Sequence, residues 1–187
     1  MKHIYNKKRE ILVYGLGNEV KRDDAIGPAV VRRVEQTIHP EKKERFHFVT
    51  GYFTGWNLME VLRDYEEVVI VEGIVSGLNP PGTVVEFTGN SEEWKGYVTP
   101  RFLEVLNVGK IFPGMACIFP QKFTVFAVEV HDIFTYGYDM TAEVENHLPT
   151  AVRRLQEFLE GHDGGAGKHG GQADIKAFPL SFERGVK

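Results

Sequence analysis

The sequence predicts a three-layer α/β sandwich, a mostly parallel five-stranded sheet with helices on both faces. Three observations predict it. Short apolar runs alternate along the chain with stretches whose apolar residues recur every three or four positions, the order in which helical crossovers join parallel strands. One run, Val68-Val69-Ile70-Val71, is continuous and β-branched, as a strand covered on both faces must be. Glycine, proline, asparagine and aspartate cluster at the seams between runs. The length, 187 residues, suits one domain, which buries roughly 70% of its unfolded surface.

Each element has its own signal. The first strand, residues 10–15, carries the apolar run Ile11 to Tyr14. A helix from Gly27 to Ile38 follows, with Ile26, Val30, Val34 and Ile38 on one stripe; Gly27 is expected at its cap and Pro28 at its first position. His39-Pro40 stops it, because the residue before proline avoids the helical region. Residues 41–45 read as a charged, solvated loop. A strand at 46–50, a helix at 56–65 with Leu58, Val61, Leu62 and Tyr65 inward, and a strand at 67–73 come next. Asn79-Pro80-Pro81-Gly82 is a turn, and residues 83–88 read as a strand near a sheet edge. Thr99-Pro100 starts a helix that reaches Asn107, residues 110–121 are irregular, and residues 122–130 form the fifth strand. Thr141 caps a long last helix with Val144, Leu148, Val152, Leu155 and Leu159 on one face; Pro149 should kink or split it. Residues 1–160 are thus read as one α/β domain. Residues 161–187 are read as a linker and tail, since Gly161 to Gly171 holds six glycines and almost nothing to bury.

Composition excludes several classes. A net charge of −4 argues against a nucleic-acid binder driven by phosphate neutralisation. The chain has no apolar run long enough to span a bilayer and no signal peptide pattern, so no membrane partner is expected. One cysteine, Cys117, rules out an internal disulfide and suits a reducing cytoplasm; with no Cys or His at ligand spacing it reads as packing. The sequence leaves self-association into a homo-oligomer open.

The chain is organised around residues 11–28, where a strand delivers a glycine-shaped loop with Asn18 and the acid pair Asp23-Asp24 to the start of a helix. A dinucleotide fingerprint would need a third glycine where Val20 stands, and a phosphate loop would need a Gly-Lys-Ser/Thr ending. Two adjacent acids repel phosphate and suit a cation, a proton or a basic peptide. Gly15-x-Gly17-Asn18 followed by Asp23-Asp24-Ala25-Ile26-Gly27 resembles the opening signature of the hydrogenase maturation proteases. Those enzymes trim the C-terminal extension of the nickel-loaded large subunit of NiFe hydrogenases. Thr54-Gly55 after the second strand and residues 136–141 before the last helix also resemble the family, so the likeness covers residues 10–160.

The resemblance implies a three-layer α/β fold and a set of site residues. Asp24 matches a nickel-contacting acid; on residue type alone it could equally complement a helix dipole. Glu72 ends an apolar strand, where a carboxylate is expensive unless used or paired, and matches the family's second acidic ligand with one extra methylene. The family's third ligand, a histidine, is replaced at Thr99-Pro100-Arg101 by an arginine, which cannot ligate a metal. Either the metal is held differently, or Arg101 pairs with Asp24 and Glu72 and replaces it. His131, after the fifth strand, is the candidate substitute ligand, with Asp132 as its orienting partner. Gly15, Gly17, Asn18 and Arg101 are the candidate substrate contacts, through Asn18 and the N–H groups after Gly15. The implied activity is a metal-dependent or aspartic-type endopeptidase acting on a hydrogenase large-subunit precursor, with Asp24 and Glu72 catalytic and nickel, or another divalent metal, carried by the substrate. No tightly bound cofactor is expected. The alternatives are a non-catalytic binding module of the same fold in which Arg101 neutralises the acids, or a small-molecule hydrolase.

Overall fold

A computed structural model of the chain describes residues 10–88, 120 and 122–162. In chain order they form β1 (Ile11–Leu16), a 3-10 turn (Arg22–Ala25), α1 (Ile26–Thr37), α2 (Pro40–Lys43), β2 (Phe46–Gly51), α3 (Gly55–Leu62), β3 (Glu67–Ile74), β4 (Val84–Thr88), β5 (Lys122–Glu129) and α4 (Ala142–Gly161). The five strands make one sheet in the order β2-β1-β3-β5-β4. β1 pairs with β2 and β3, and β3 with β5, all in parallel. β4 runs antiparallel to β5 at the edge, the place its looser alternation suggests.

Two cores sandwich the sheet. On one face Ile11, Val13, Val69, Val71, Phe126 and Val128 meet the apolar stripes of α1 and α4. On the other face Leu12, Tyr14, Leu16, Val68, Ile70 and Val125 meet Leu58, Met59 and Leu62 of α3. The alternation of side chains along each strand therefore feeds both layers. β1 is buried at every position, which explains why its sequence is an unbroken apolar run.

Four local expectations need correction. Residues 40–43 are helical, because Pro40 at the first helical position supplies a ready φ, although the segment buries nothing. α4 runs through Pro149 without a break. Pro149 and Glu145, the residue one turn earlier, are both exposed, so the carbonyl that proline leaves unbonded faces solvent while Val144, Leu148, Ala151, Leu155 and Leu159 stay buried. α1 starts at Ile26 rather than Gly27, which leaves Pro28 within the first turn, where N–H groups have no helical acceptor anyway. Thr141 precedes α4, but its hydroxyl does not cap the helix. The expected helix at 99–107, Cys117 and the tail lie outside the described residues.

Candidate functional site

The strand order fixes where a site can form. From β1 the chain crosses to β2 on one side, and then returns to place β3 on the other. Connections that leave in opposite directions open a crevice at the carboxyl ends of β1 and β3, the switch point where α/β sheets bind ligands. Asp24 lies in the turn that follows β1, and Glu72 lies two residues before the end of β3.

Close backbone approach holds the turn against both strands. A Cβ on Gly17 would lie 1.9 Å from the Asp24 carbonyl oxygen. One on Gly27 would lie 2.4 Å from the Val71 carbonyl and 2.5 Å from that of Leu16. One on Gly73 would meet Ile26 at 2.9 Å and the Asp23 carbonyl at 3.3 Å. Only glycine lets three backbones crowd this way. A Cβ on Gly15 would likewise lie 2.8 Å from the Gly27 carbonyl oxygen and 2.9 Å from the Pro28 Cα.

The two acids of the pair are both fully buried and do different things. Asp23 ties the molecule together. Its Oδ2 accepts the His131 and Asp132 N–H groups at 3.1 and 2.9 Å and the Thr141 hydroxyl at 2.9 Å; its Oδ1 accepts the Thr141 N–H at 2.6 Å. The Thr141 hydroxyl thus points to Asp23, and it makes no capping bond to its own helix. Asp24 instead turns back to the loop just after β1, where its Oδ2 accepts the Asn18 N–H at 2.8 Å. Glu72 is 2% exposed and sits in register with Leu16 and Ala127, so it emerges on the α3 face.

A fourth buried carboxylate was missed by the sequence reading. Glu129 closes β5 and accepts the N–H groups of Ser76 and Gly77 at 2.7 and 2.9 Å, together with the Ser76 hydroxyl. It shapes the loop after β3. The signal was present, an acid ending an apolar strand, and is the same one that marks Glu72.

Other expectations resolve against the geometry. The N–H groups after Gly15 are already used: Gly17 donates to the Gly51 carbonyl at 2.9 Å and Asn18 to Asp24. The Asn18 side chain accepts the Val20 N–H at 3.1 Å and closes its own turn. The glycines therefore serve chain packing rather than a substrate backbone. His131 is exposed, and Asp132 does not orient it. The Asp132 carboxylate accepts the Phe134 and Thr135 N–H groups at 3.0 and 2.9 Å. Those bonds, Thr135 first, then Phe134 and the Arg22 charge, hold its pKa down to about 2. Among the described residues no three His, Cys, Asp or Glu side chains form a group that could hold a metal ion, so Asp24, Glu72 and His131 do not assemble as a ligand trio. Arg101 lies outside the described residues.

The loop of Asp24 is strained and pinned. Arg22 has φ 31°, a left-handed value that non-glycine residues rarely adopt. Its N–H donates to the Gly137 carbonyl at 2.9 Å, and Gly137 donates to the Val20 carbonyl at 3.0 Å. So two buried acids stand at the switch point of the sheet, one of them on a turn fixed from β1, β3 and the loop after β5. That is where open α/β sheets bind ligands.

Comparison with known proteins gives this fold a family. The chain is 36% identical over 150 residues to the hydrogenase 2 maturation protease of Escherichia coli strain K12, covering 78% of this chain and 87% of that protein. It is 26% identical over 157 residues to the hydrogenase expression/formation protein HupD of Rhizobium leguminosarum bv. viciae, covering 80% and 73%. Among solved structures it resembles the hydrogenase maturating endopeptidase HybD from Escherichia coli, with a TM-score of 0.64 at 25% identity over 81% of this chain and 92% of that one. The NiFe hydrogenase maturation protease HybD from Thermococcus kodakarensis shares the fold, with a TM-score of 0.63 at 20% identity over 80% and 99%. No family model matches the chain. The chain belongs to the hydrogenase maturation proteases. Among the described residues no helix is long and apolar enough to cross a membrane.

Proposed function

We propose that this protein is a hydrogenase maturation endopeptidase that removes the C-terminal extension of a nickel-loaded NiFe-hydrogenase large-subunit precursor in the cytoplasm, and that Asp24 and Glu72 recognise the nickel. The observation that carries the reading is the pair of buried carboxylates at the β1/β3 switch point of a chain in this family. Nickel is borderline in softness and accepts carboxylate oxygens readily. Brought by the substrate, it would polarise the scissile carbonyl or acidify an attacking water.

The chain's own residues supply position and charge. Asn18 aims Asp24 through its N–H. Asp23 locks the turn that carries Asp24, and the glycines let that turn lie on the strand ends. Glu72 adds the second negative oxygen pair from β3 and takes the attacking water's proton if the water is not metal-bound. Arg101 occupies the family's histidine position; its guanidinium binds substrate carbonyl or carboxylate oxygens rather than metal.

The test is incubation with a nickel-loaded large-subunit precursor, followed by mass spectrometry. Loss of a C-terminal peptide is expected. An intact precursor, with the protease folded as judged by circular dichroism, refutes the activity.

A further inference from the structure

We propose that the aromatic rim around this site is the docking surface for the folded body of the protein substrate, beside the segment that is cut; this rests on the function proposed above. Among the described residues, the exposed aromatics of the sheet's carboxyl edge are Tyr52, Phe53 and Trp56 after β2, and Phe134, Tyr136 and Tyr138 after β5. The large aliphatic side chains that are also exposed all follow β1 or β3, on the same edge. Every large apolar residue left in solvent among the described residues thus surrounds the candidate site, and none lies on the opposite edge or on the outer faces of α1 and α4. Scattered exposed apolar residues need no explanation, but their confinement to one rim does.

The two halves of the rim are tied together through the turn that carries Asp24. The turn carrying Asp24 is bonded on one side to Gly51, next to the Tyr52–Phe53 stack with ring centroids 6.4 Å apart. On the other side it is bonded to Gly137, and Lys21 Nζ lies 5.4 Å from the centre of the Tyr136 ring. Loops fixed this way lose little entropy on association. At ~200 Å² per aromatic side chain and the exposures found, the six rings present roughly 800 Å², about what one partner contributes to a specific interface of standard size.

Chemistry selects the occupant. A surface rich in tyrosine, phenylalanine and tryptophan matches the core of a protein–protein interface. The acidic chain, at a net charge of −4, does not suit nucleic acid. A second copy seated here would cover Asp24 and Glu72, whereas a large subunit seated here delivers its own C-terminal segment to them.

The experiment compares the parent with Tyr136→Ser/Tyr138→Ser and Tyr52→Ser/Phe53→Ser, using two ligands: the nickel-loaded precursor, and the same large subunit truncated at the cleavage point. Calorimetry measures binding and single-turnover assays measure cleavage. Binding of both ligands by the parent within about tenfold is expected, with each double variant weakening both by about tenfold or more. KM should rise while kcat changes little. A parent that binds the precursor without cutting it would sink the endopeptidase reading and leave docking standing. Variants that bind and cut like the parent would sink docking and leave the endopeptidase standing. Loss of both ligands by the parent would overturn both. Self-association or binding to phosphatidylcholine–phosphatidylglycerol vesicles that disappears in the variants, without effect on large-subunit binding, would assign the rim elsewhere and overturn the proposal.

Discussion

Replacing Asp23 should cost several kcal/mol of stability through lost hydrogen bonds. In Asp23→Ala, four donors lose a buried charged acceptor: the N–H groups of His131, Asp132 and Thr141, and the Thr141 hydroxyl. A hydrogen bond to a charged group contributes about 1.5–3 kcal/mol net. His131 is exposed and Asp132 and Thr141 are half-buried, so these donors rehydrate in part and the loss falls short of additivity. We expect about 3–5 kcal/mol, a large share of the ~5–15 kcal/mol that holds a domain together. Asp23→Asn should be milder, about 1–3 kcal/mol: its amide oxygen can serve the three donors on Oδ2, while its NH₂ group faces the Thr141 N–H. Thr141→Val, which keeps the N–H, should cost about 1–2 kcal/mol. Urea unfolding reads all three, with a midpoint lowered by about 2 M for Asp23→Ala at constant slope. A loss under about 1 kcal/mol for Asp23→Ala would refute the clamp and the account of how Asp24 is placed.

Gly27→Ala would push a methyl into the Leu16 and Val71 carbonyls and should destabilise by about 3 kcal/mol or more; Gly77→Ala, with open space but φ 70°, should cost only about 1 kcal/mol, and thermal melts separate the two. Glu67 is partly buried, which raises its pKa, but its bond to His162 and the charges of His162 and Lys122 outweigh burial and lower it below 4.5. Its stabilisation is therefore complete above 4.5 and fades as pH falls through the lowered value; Glu67→Gln should flatten the urea midpoint between pH 3 and 5, and an unchanged slope there would contradict the pairing. Asp132, held down to about 2 from 3.8, should titrate by carbon-13 NMR with its midpoint near the lower value, and a midpoint at the higher one would mean that its bonds to Phe134 and Thr135 are not kept in solution.

The sheet was legible because burial on both faces writes itself as apolar runs: the strands read from them, residues 10–15 and 67–73, match β1 and β3 within one residue at each end. The placement of Asp24 and Glu72 followed from those strands, since residues that end neighbouring parallel strands share an edge. Asp23 could be told from Asp24 only by tertiary structure: its partners lie more than 100 residues away in the loop after β5. The glycines misled for a related reason. Gly15 and Gly17 do permit close approach, but what approaches is the chain itself, at Gly27 and Asp24. His131 looked like a ligand because its strand ends at the right edge; its exposure, and the capture of Asp132 by Phe134 and Thr135, depend on loop geometry that no periodicity encodes. Pro149 in α4 shows the converse, a local rule overridden by five buried neighbours on one helix face.

Cleavage rates on nickel-loaded and nickel-free precursor, for the parent, Asp24→Asn and Glu72→Gln, test the central claim most directly. The account predicts that the parent cuts only the nickel-loaded form, and that each variant loses about 10²–10⁴ of that rate while keeping its urea midpoint near the parent's. Equal cutting of both forms, or variants as fast as the parent, would contradict a site in which these two carboxylates read the metal.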